Sequence, residues 1–261
     1  PAFYCDWFFH RLKVGYSAWI NPFNGENMYV SYAKTRFIVF WSKNPRPLLN
    51  HIDELKARGI GCYIQYSLND YEEEKLERGV PPLAERIETF KKLVDVLGKG
   101  SVIWRFDPLV LNEDITIEKL LNKIENIGDQ LKGYTEKLVF SFVDILSYNK
   151  VKNNLKANGI SFVDWTEEQM AEFASRLVAL NKEKGWNYKL ATCGEKGRYP
   201  GVEPNHCIDD ELIIKKSFHD KELMNYLKAE IKPIPPRDMF TNTITLPEGA
   251  IILDSNHYAT R

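Results

Sequence analysis

The sequence predicts an α/β fold of parallel strands, a full or partial β/α barrel with an irregular C-terminal extension. Three observations carry this. From about residue 36 onward, short β-rich runs alternate with longer amphipathic stretches, the rhythm of strands joined by right-handed helical crossovers. Most of the short runs are uninterrupted apolar segments, as expected of strands covered on both faces. The G-x-G-x-x-G loop of dinucleotide-binding open sheets is absent, which ranks an open doubly wound sheet second. The barrel is expected over residues 1–230, and residues 231–261 form the irregular segment.

The elements follow in order. "FYCDWFFHRL" (3–12) reads as a packed helix with Phe3, Trp7, Phe8 and Leu12 on one face, in preference to a surface for stacking bases. A strand is expected somewhere within 14–31. "RFIVFWSKNP" (36–45) is a buried strand, and "PLLNHIDELKARG" (47–59) a helix stopped by Gly59. "IGCYIQYSLND" (60–70) is the next strand. "PPLAERIETFKKLVDVLG" (81–98) is a helix opened by proline, closed by Gly98 and striped with Leu83, Ile87, Phe90 and Val94. A strand at 102–107 and a helix at about 115–132 follow. Next come a strand at 137–146 and a short helix around 147–157. "TEEQ" from Thr166 is a capping box that launches a helix to about residue 184. A strand at 187–195 comes next, and "IKPIPPRD" (231–238) reads as a linker or surface wrap.

Composition narrows the functional classes. A net charge of −1 gives no global pull toward nucleic acid, so that partner stays open without support from charge. No apolar run approaches the roughly 20 residues that span a bilayer, and no secretory signal is present. The chain begins at Pro1 and is expected to be trimmed from a longer one. Cys5, Cys62, Cys193 and Cys207 show no C-x-x-C spacing, which fits reduced thiols and a cytoplasmic protein.

The richest stretch is "VIWRFDPLVL" (102–111), an apolar strand carrying Arg105 and Asp107 near an end expected at Pro108. Side chains alternate along a strand, so Val102, Trp104 and Phe106 should pack under helices. Ile103, Arg105 and Asp107 then share the opposite face. Left unpaired in a buried place, either charge would cost several kcal/mol. In α/β folds ligands bind at the carboxyl ends of parallel strands. Other strand ends offer Lys43 and Asn44, Gln65 and Ser67, Ser141 and Asp144, and Thr192, Cys193 and Glu195.

The expected ligand-binding residues are Lys43, Asn44, Gln65 and Arg105, with the two cations holding a small anionic ligand. The expected catalytic residues are Asp107, Asp144, Glu195 and Cys193. Asp107→Asn is then expected to leave folding largely intact while weakening ligand binding. For Cys193 a small buried thiol competes with a nucleophile, and the former is the commoner case. "HCIDDEL" around Cys207 reads as a helix start with acidic first-turn residues rather than a metal site. His10, His51, His219 and His257 have no ligand spacing, and no metal site is expected within these residues.

Several segments together resemble a bacterial family known as domain of unknown function 1848: "PAFYCDWFFHRLKVGY", "NPFN", "IVFWSKNPRPLL", "VPPLAERIETFKKL", "VIWRFDPLVL", "TCGE" and "CIDDELI". That family is distantly similar to radical S-adenosylmethionine enzymes, including the spore photoproduct lyase type, which use a partial β/α barrel. The resemblance implies a cysteine-rich tail holding a [4Fe-4S] cluster, with S-adenosylmethionine as cosubstrate. Such a tail departs from the usual early placement of cluster cysteines in radical enzymes. Residues 238–261 read as an approach to it, and none of the 261 residues is expected to bind the cluster itself. The leading expectation is a radical S-adenosylmethionine-like enzyme. A cluster-independent lyase or hydrolase using strand-end carboxylates, or a nucleotide- or nucleic-acid-binding barrel, are the alternatives.

Overall fold

The protein is seen here in a computed structural model, which describes residues 1–145, 149–193, 199–228, 230–233 and 251–254. The chain opens with helix α1 (Cys5–Val14), which buries Cys5, Phe9 and Leu12 and ends at Gly15 with φ 94°. The expected face is wrong here, because Phe3 is 87 % and Trp7 52 % exposed. Phe8 instead meets Phe9, Tyr32 and Phe40 edge to face. The strand expected within 14–31 is an antiparallel hairpin, β1 (Tyr16–Ile20) with β2 (Asn27–Ser31), which stands apart from the main sheet. Strand β3 (Phe37–Ser42) follows.

The single helix expected over 47–59 is split into a 3₁₀ turn at Arg46–Asn50 and α2 (Ile52–Ala57). His51, between them, has a non-helical φ of −121°. Its ring stacks 4.1 Å from Phe9 and bonds Asp6 at 2.8 Å, contacts that fix it outside either helix. Then come β4 (Gly61–Ser67), α3 (Leu83–Leu97), β5 (Val102–Leu109), α4 (Ile117–Leu131) and β6 (Lys137–Phe142). Beyond them lie α5 (Asn149–Ala157), α6 (Glu167–Glu183), β7 (Lys189–Thr192) and the two-residue β8 (Glu203–Pro204). Thr166 and Gln169 form the expected capping box. Two helices follow, α7 (Asp210–Ser217), whose start the sequence reading placed, and α8 (Lys221–Tyr226), which it did not resolve. Asp209 caps α7 through the Leu212 amide at 3.0 Å, so the helix start read at "HCIDDEL" is present. A short antiparallel pair, β9 (Glu230–Pro233) with β10 (Ile251–Asp254), completes the described elements, and residues 234–238 of the expected linker lie outside them.

The main sheet has six strands in the consecutive order β3-β4-β5-β6-β7-β8, and the pairs from β4 to β8 are parallel. The α/β class and its parallel sheet are therefore as expected. A full barrel is not: among the described residues the sheet is open, with β3 and β8 at its edges. Consecutive order combined with right-handed crossovers puts the connecting helices on one face. The side chains agree. Register aligns Tyr66 with Trp104 and Leu138, Tyr66 stacks on Phe90 of α3 at 5.6 Å, and Phe140 meets Phe173 of α6. Trp104, Phe106 and Phe140 are fully buried on this side.

The chain divides into two compact units. One comprises Pro1–Phe3, Trp41–Leu49 and Ile64–Cys207; the other comprises Tyr4–Phe40, Asn50–Tyr63 and Ile208–Arg261. In the first, α3, α4 and α6 pack in sequence over the strands. In the second, α1 lies against β1, and α7 packs on α8. Among the described residues, no helix is long and apolar enough to cross a membrane.

Candidate functional site

Because Trp104 and Phe106 turn toward the helices, Arg105 and Asp107 turn to the other face, as strand alternation requires. Ser67 stands level with Arg105 on β4. All the residues that converge here belong to the first unit. The Arg105 guanidinium is completely buried and fully engaged. Its Nε and Nη2 donate to Asp107 Oδ2 at 3.0 and 2.6 Å, and its Nη1 donates to Gln65 Oε1 at 2.6 Å. Trp41 lies over it with 4.2 Å from guanidinium carbon to ring, and the indole N–H donates to Ser67 Oγ at 3.0 Å. The Ser141 hydroxyl donates to the other Asp107 oxygen. Asp107 keeps 18 % of its side chain exposed, and Trp41 is 48 % exposed, so these two groups face whatever approaches.

Pro108 was expected to end the strand, yet β5 continues to Leu109 and re-pairs with Phe142 after a register shift. Proline removes a ladder donor, and side chains from the segment after β4 take over the bonds lost around it. Asn69 accepts from the Asp107 amide at 2.8 Å and donates to the Asp107 carbonyl at 3.0 Å. The Tyr71 hydroxyl donates to the Pro108 carbonyl at 2.8 Å and accepts from the Val110 amide at 3.0 Å. Burial holds that hydroxyl well above the usual phenol range. The Asn69 amide also donates to Glu77 Oε1 at 2.8 Å, and Glu77 in turn receives Lys43.

The predicted site residues thus divide. Gln65, Arg105 and Asp107 form one network, and Lys43 joins it only through Glu77 and then Asn69. Both cations expected to hold an anion already face carboxylates of the chain itself. Asn44 instead shapes the turn after β3, its amide bonding Ser42 Oγ at 3.0 Å and its side chain accepting from Arg46. Thr192 aligns with Phe140 and is buried, on the face toward the helices. Asp144 lies exposed beyond the end of β6, and Glu195 falls outside the described residues.

Cys193 is brought to Cys207, with the sulfurs 3.7 Å apart and both thiols free. The hydrogen bond and charge of Cys193, ahead of burial, push the Cys207 thiol above its ordinary value, while Arg105 pulls it down. Cys207 also presents its carbonyl to Gln65 Nε2 at 2.5 Å. Sequence reasoning missed Trp41, Asn69, Glu77 and Cys207. Trp41 had a usable signal, a large ring on an otherwise apolar run one residue from its polar end, and Asn69 and Tyr71 stand directly after a strand.

Comparison with known proteins adds two findings. Residues 1–233 match the family described as Domain of unknown function (DUF1848). No curated protein matches the chain.

Proposed function

This chain belongs to the DUF1848 family, and on that premise we propose an enzyme-type domain that binds a small polar ligand on the sheet face opposite α3 and α6, where Arg105 and Asp107 lie. The single observation that carries this is a buried guanidinium spent on holding one carboxylate, Asp107, in place at the carboxyl end of the central strand. A carboxylate fixed by Arg105 and Ser141, with one side open, is an oriented hydrogen-bond acceptor and proton acceptor. Trp41 supplies an adjacent aromatic wall. The pairing of Arg105 and Lys43 with Asp107 and Glu77 shifts the proposed ligand. Instead of an anion gripped by two cations, it is a polar molecule that brings a hydrogen-bond donor to Asp107. The test is a thermal-shift and calorimetric screen of small polar metabolites against wild type, Asp107→Asn and Trp41→Ala. A ligand that binds wild type and loses affinity with both variants supports the reading. Ligands bound equally well by all three would refute it.

A second reading, an iron–sulfur, S-adenosylmethionine-dependent enzyme on a partial barrel, is favoured by the consecutive parallel strand order and by the thiol pair at the same end. Clusters of this kind are held by cysteine thiolates. The described residues contain no group of three or more potential metal-binding side chains, so the two thiols alone do not fit the cluster. Iron and acid-labile sulfide in anaerobically purified protein test this reading, and their absence would remove it.

A further inference from the structure

The thiols of Cys193 and Cys207 are placed for a chemistry of their own. Both are held on the sheet rather than on free loops. Cys193 follows β7 directly, and its amide donates to the Phe140 carbonyl of β6 at 3.1 Å. The chain returns at Asn205, whose amide donates to the Thr192 carbonyl at 2.7 Å, and Gln65 then fixes the Cys207 carbonyl. Fourteen residues apart in sequence, the two sulfurs meet at 3.7 Å. A bonded pair sits at about 2.05 Å, so a small side-chain adjustment closes the gap. Cys207 is exposed and Cys193 half-buried, which gives an oxidant access to one sulfur and keeps the other behind it.

We propose that Cys193 and Cys207 form a reversible intramolecular disulfide on exposure to hydrogen peroxide, a modification site on the same face as Asp107. The Cys207 thiolate attacks one peroxide oxygen: the S–O bond forms, the O–O bond breaks, and hydroxide leaves as water with the thiol proton. Cys193 then attacks the sulfenic sulfur; the S–S bond forms, the S–O bond breaks, and a second water carries off the remaining proton. Two thiols give up two electrons, and one hydrogen peroxide molecule accepts them. Because Gln65 bonds both Cys207 and Arg105, the oxidised form is tied to the Arg105–Asp107 pair through one side chain.

The test treats the reduced native protein with an equimolar amount of hydrogen peroxide, then unfolds it in urea with excess iodoacetamide to block every remaining thiol, and measures intact and tryptic masses. Two of the four cysteines should escape alkylation. Trypsin cuts after Lys196 and Arg198, so the Cys193 and Cys207 peptides should appear joined and separate on adding dithiothreitol. In Cys193→Ser the sulfenic acid should persist on Cys207 and be trapped by dimedone. In Cys207→Ser the oxidation of Cys193 should slow at least roughly tenfold, since it loses the neighbouring reactive sulfur. The proposal is overturned if wild-type Cys207 oxidises while Cys193 stays alkylable. It is equally overturned if Cys193 joins Cys5 or Cys62 as often as Cys207, as in a urea-unfolded control.

Discussion

Replacing Asp107 with asparagine is the sharpest probe of the central network. The substitution keeps size and one carbonyl oxygen but removes the charge that faces a guanidinium with no solvent exposure. Removing one partner of a buried pair costs about 3–5 kcal/mol when the other is stranded. Here the loss is moderated, because Gln65 still accepts from Nη1, Trp41 still covers the guanidinium, and Asp107 is itself partly open. We therefore expect about 2–3 kcal/mol. In a protein of this size that is a melting-point drop of about 5–10 °C. The expectation drawn from sequence, that Asp107→Asn leaves folding largely intact, is tested by the same measurement. The assay is urea unfolding with the slope held constant, run on Asp107→Asn, Arg105→Met and the double variant. The double variant should recover part of the loss, since it strands no charge. A cost below about 0.5 kcal/mol for Asp107→Asn, with additive single and double variants, would show that the pair is not energetically coupled, and the account of an oriented carboxylate would fall with it.

Other expectations follow from the same structure. Asn69→Ala strips both bonds to the Asp107 backbone from a fully buried position, and unfolding should show a loss of about 2–3 kcal/mol. Tyr71→Phe removes only the bridging hydroxyl, and the same assay should show about 1–2 kcal/mol. Gly128→Ala would place a methyl group 2.6 Å from the Trp186 ring, and a thermal melt should report destabilisation of about 1–3 kcal/mol. Burial raises the Cys62 thiol from 9.0 to about 11, so its alkylation in native protein should rise with a midpoint near pH 11. Below pH 9 the folded and unfolded thiols are both protonated and contribute no difference. As pH climbs from 9 toward 11 the unfolded thiol ionises first, so stability should fall by about 1.4 kcal/mol per pH unit through that window and less so in Cys62→Ala.

The order of elements was legible because strands covered by helices write themselves as apolar runs, and helices as 3.6-residue stripes ended by Gly59 and Gly98. The orientation of Arg105 and Asp107 was legible for an equally local reason, since parity along a strand depends on nothing distant. Closure of the sheet was not, because it depends on whether strands far apart in sequence meet at the edges. The α1 face was misassigned because the aromatic residues of its first turn fit more than one stripe, and packing chose Phe9 over Trp7. Asn69 and Tyr71 look like ordinary loop residues until the bonds missing around Pro108 are counted. Cys207 could be placed beside Cys193 only by the backbone bond from Asn205 to Thr192, which leaves no trace in spacing.

The way Asn69 and Tyr71 substitute for strand bonds has a consequence for how this chain tolerates change. The segment from 69 to 82 looks like a single connection, but its two ends have different freedom. Lengthening it after Glu77 leaves the bonds of Asn69 and Tyr71 in place. Inserting one residue between Leu68 and Asn69 moves both side chains out of register with the Asp107 and Val110 amides, more than 35 positions further along the chain. The first three residues of that connection are, in effect, part of the central strand, contributed from another part of the sequence.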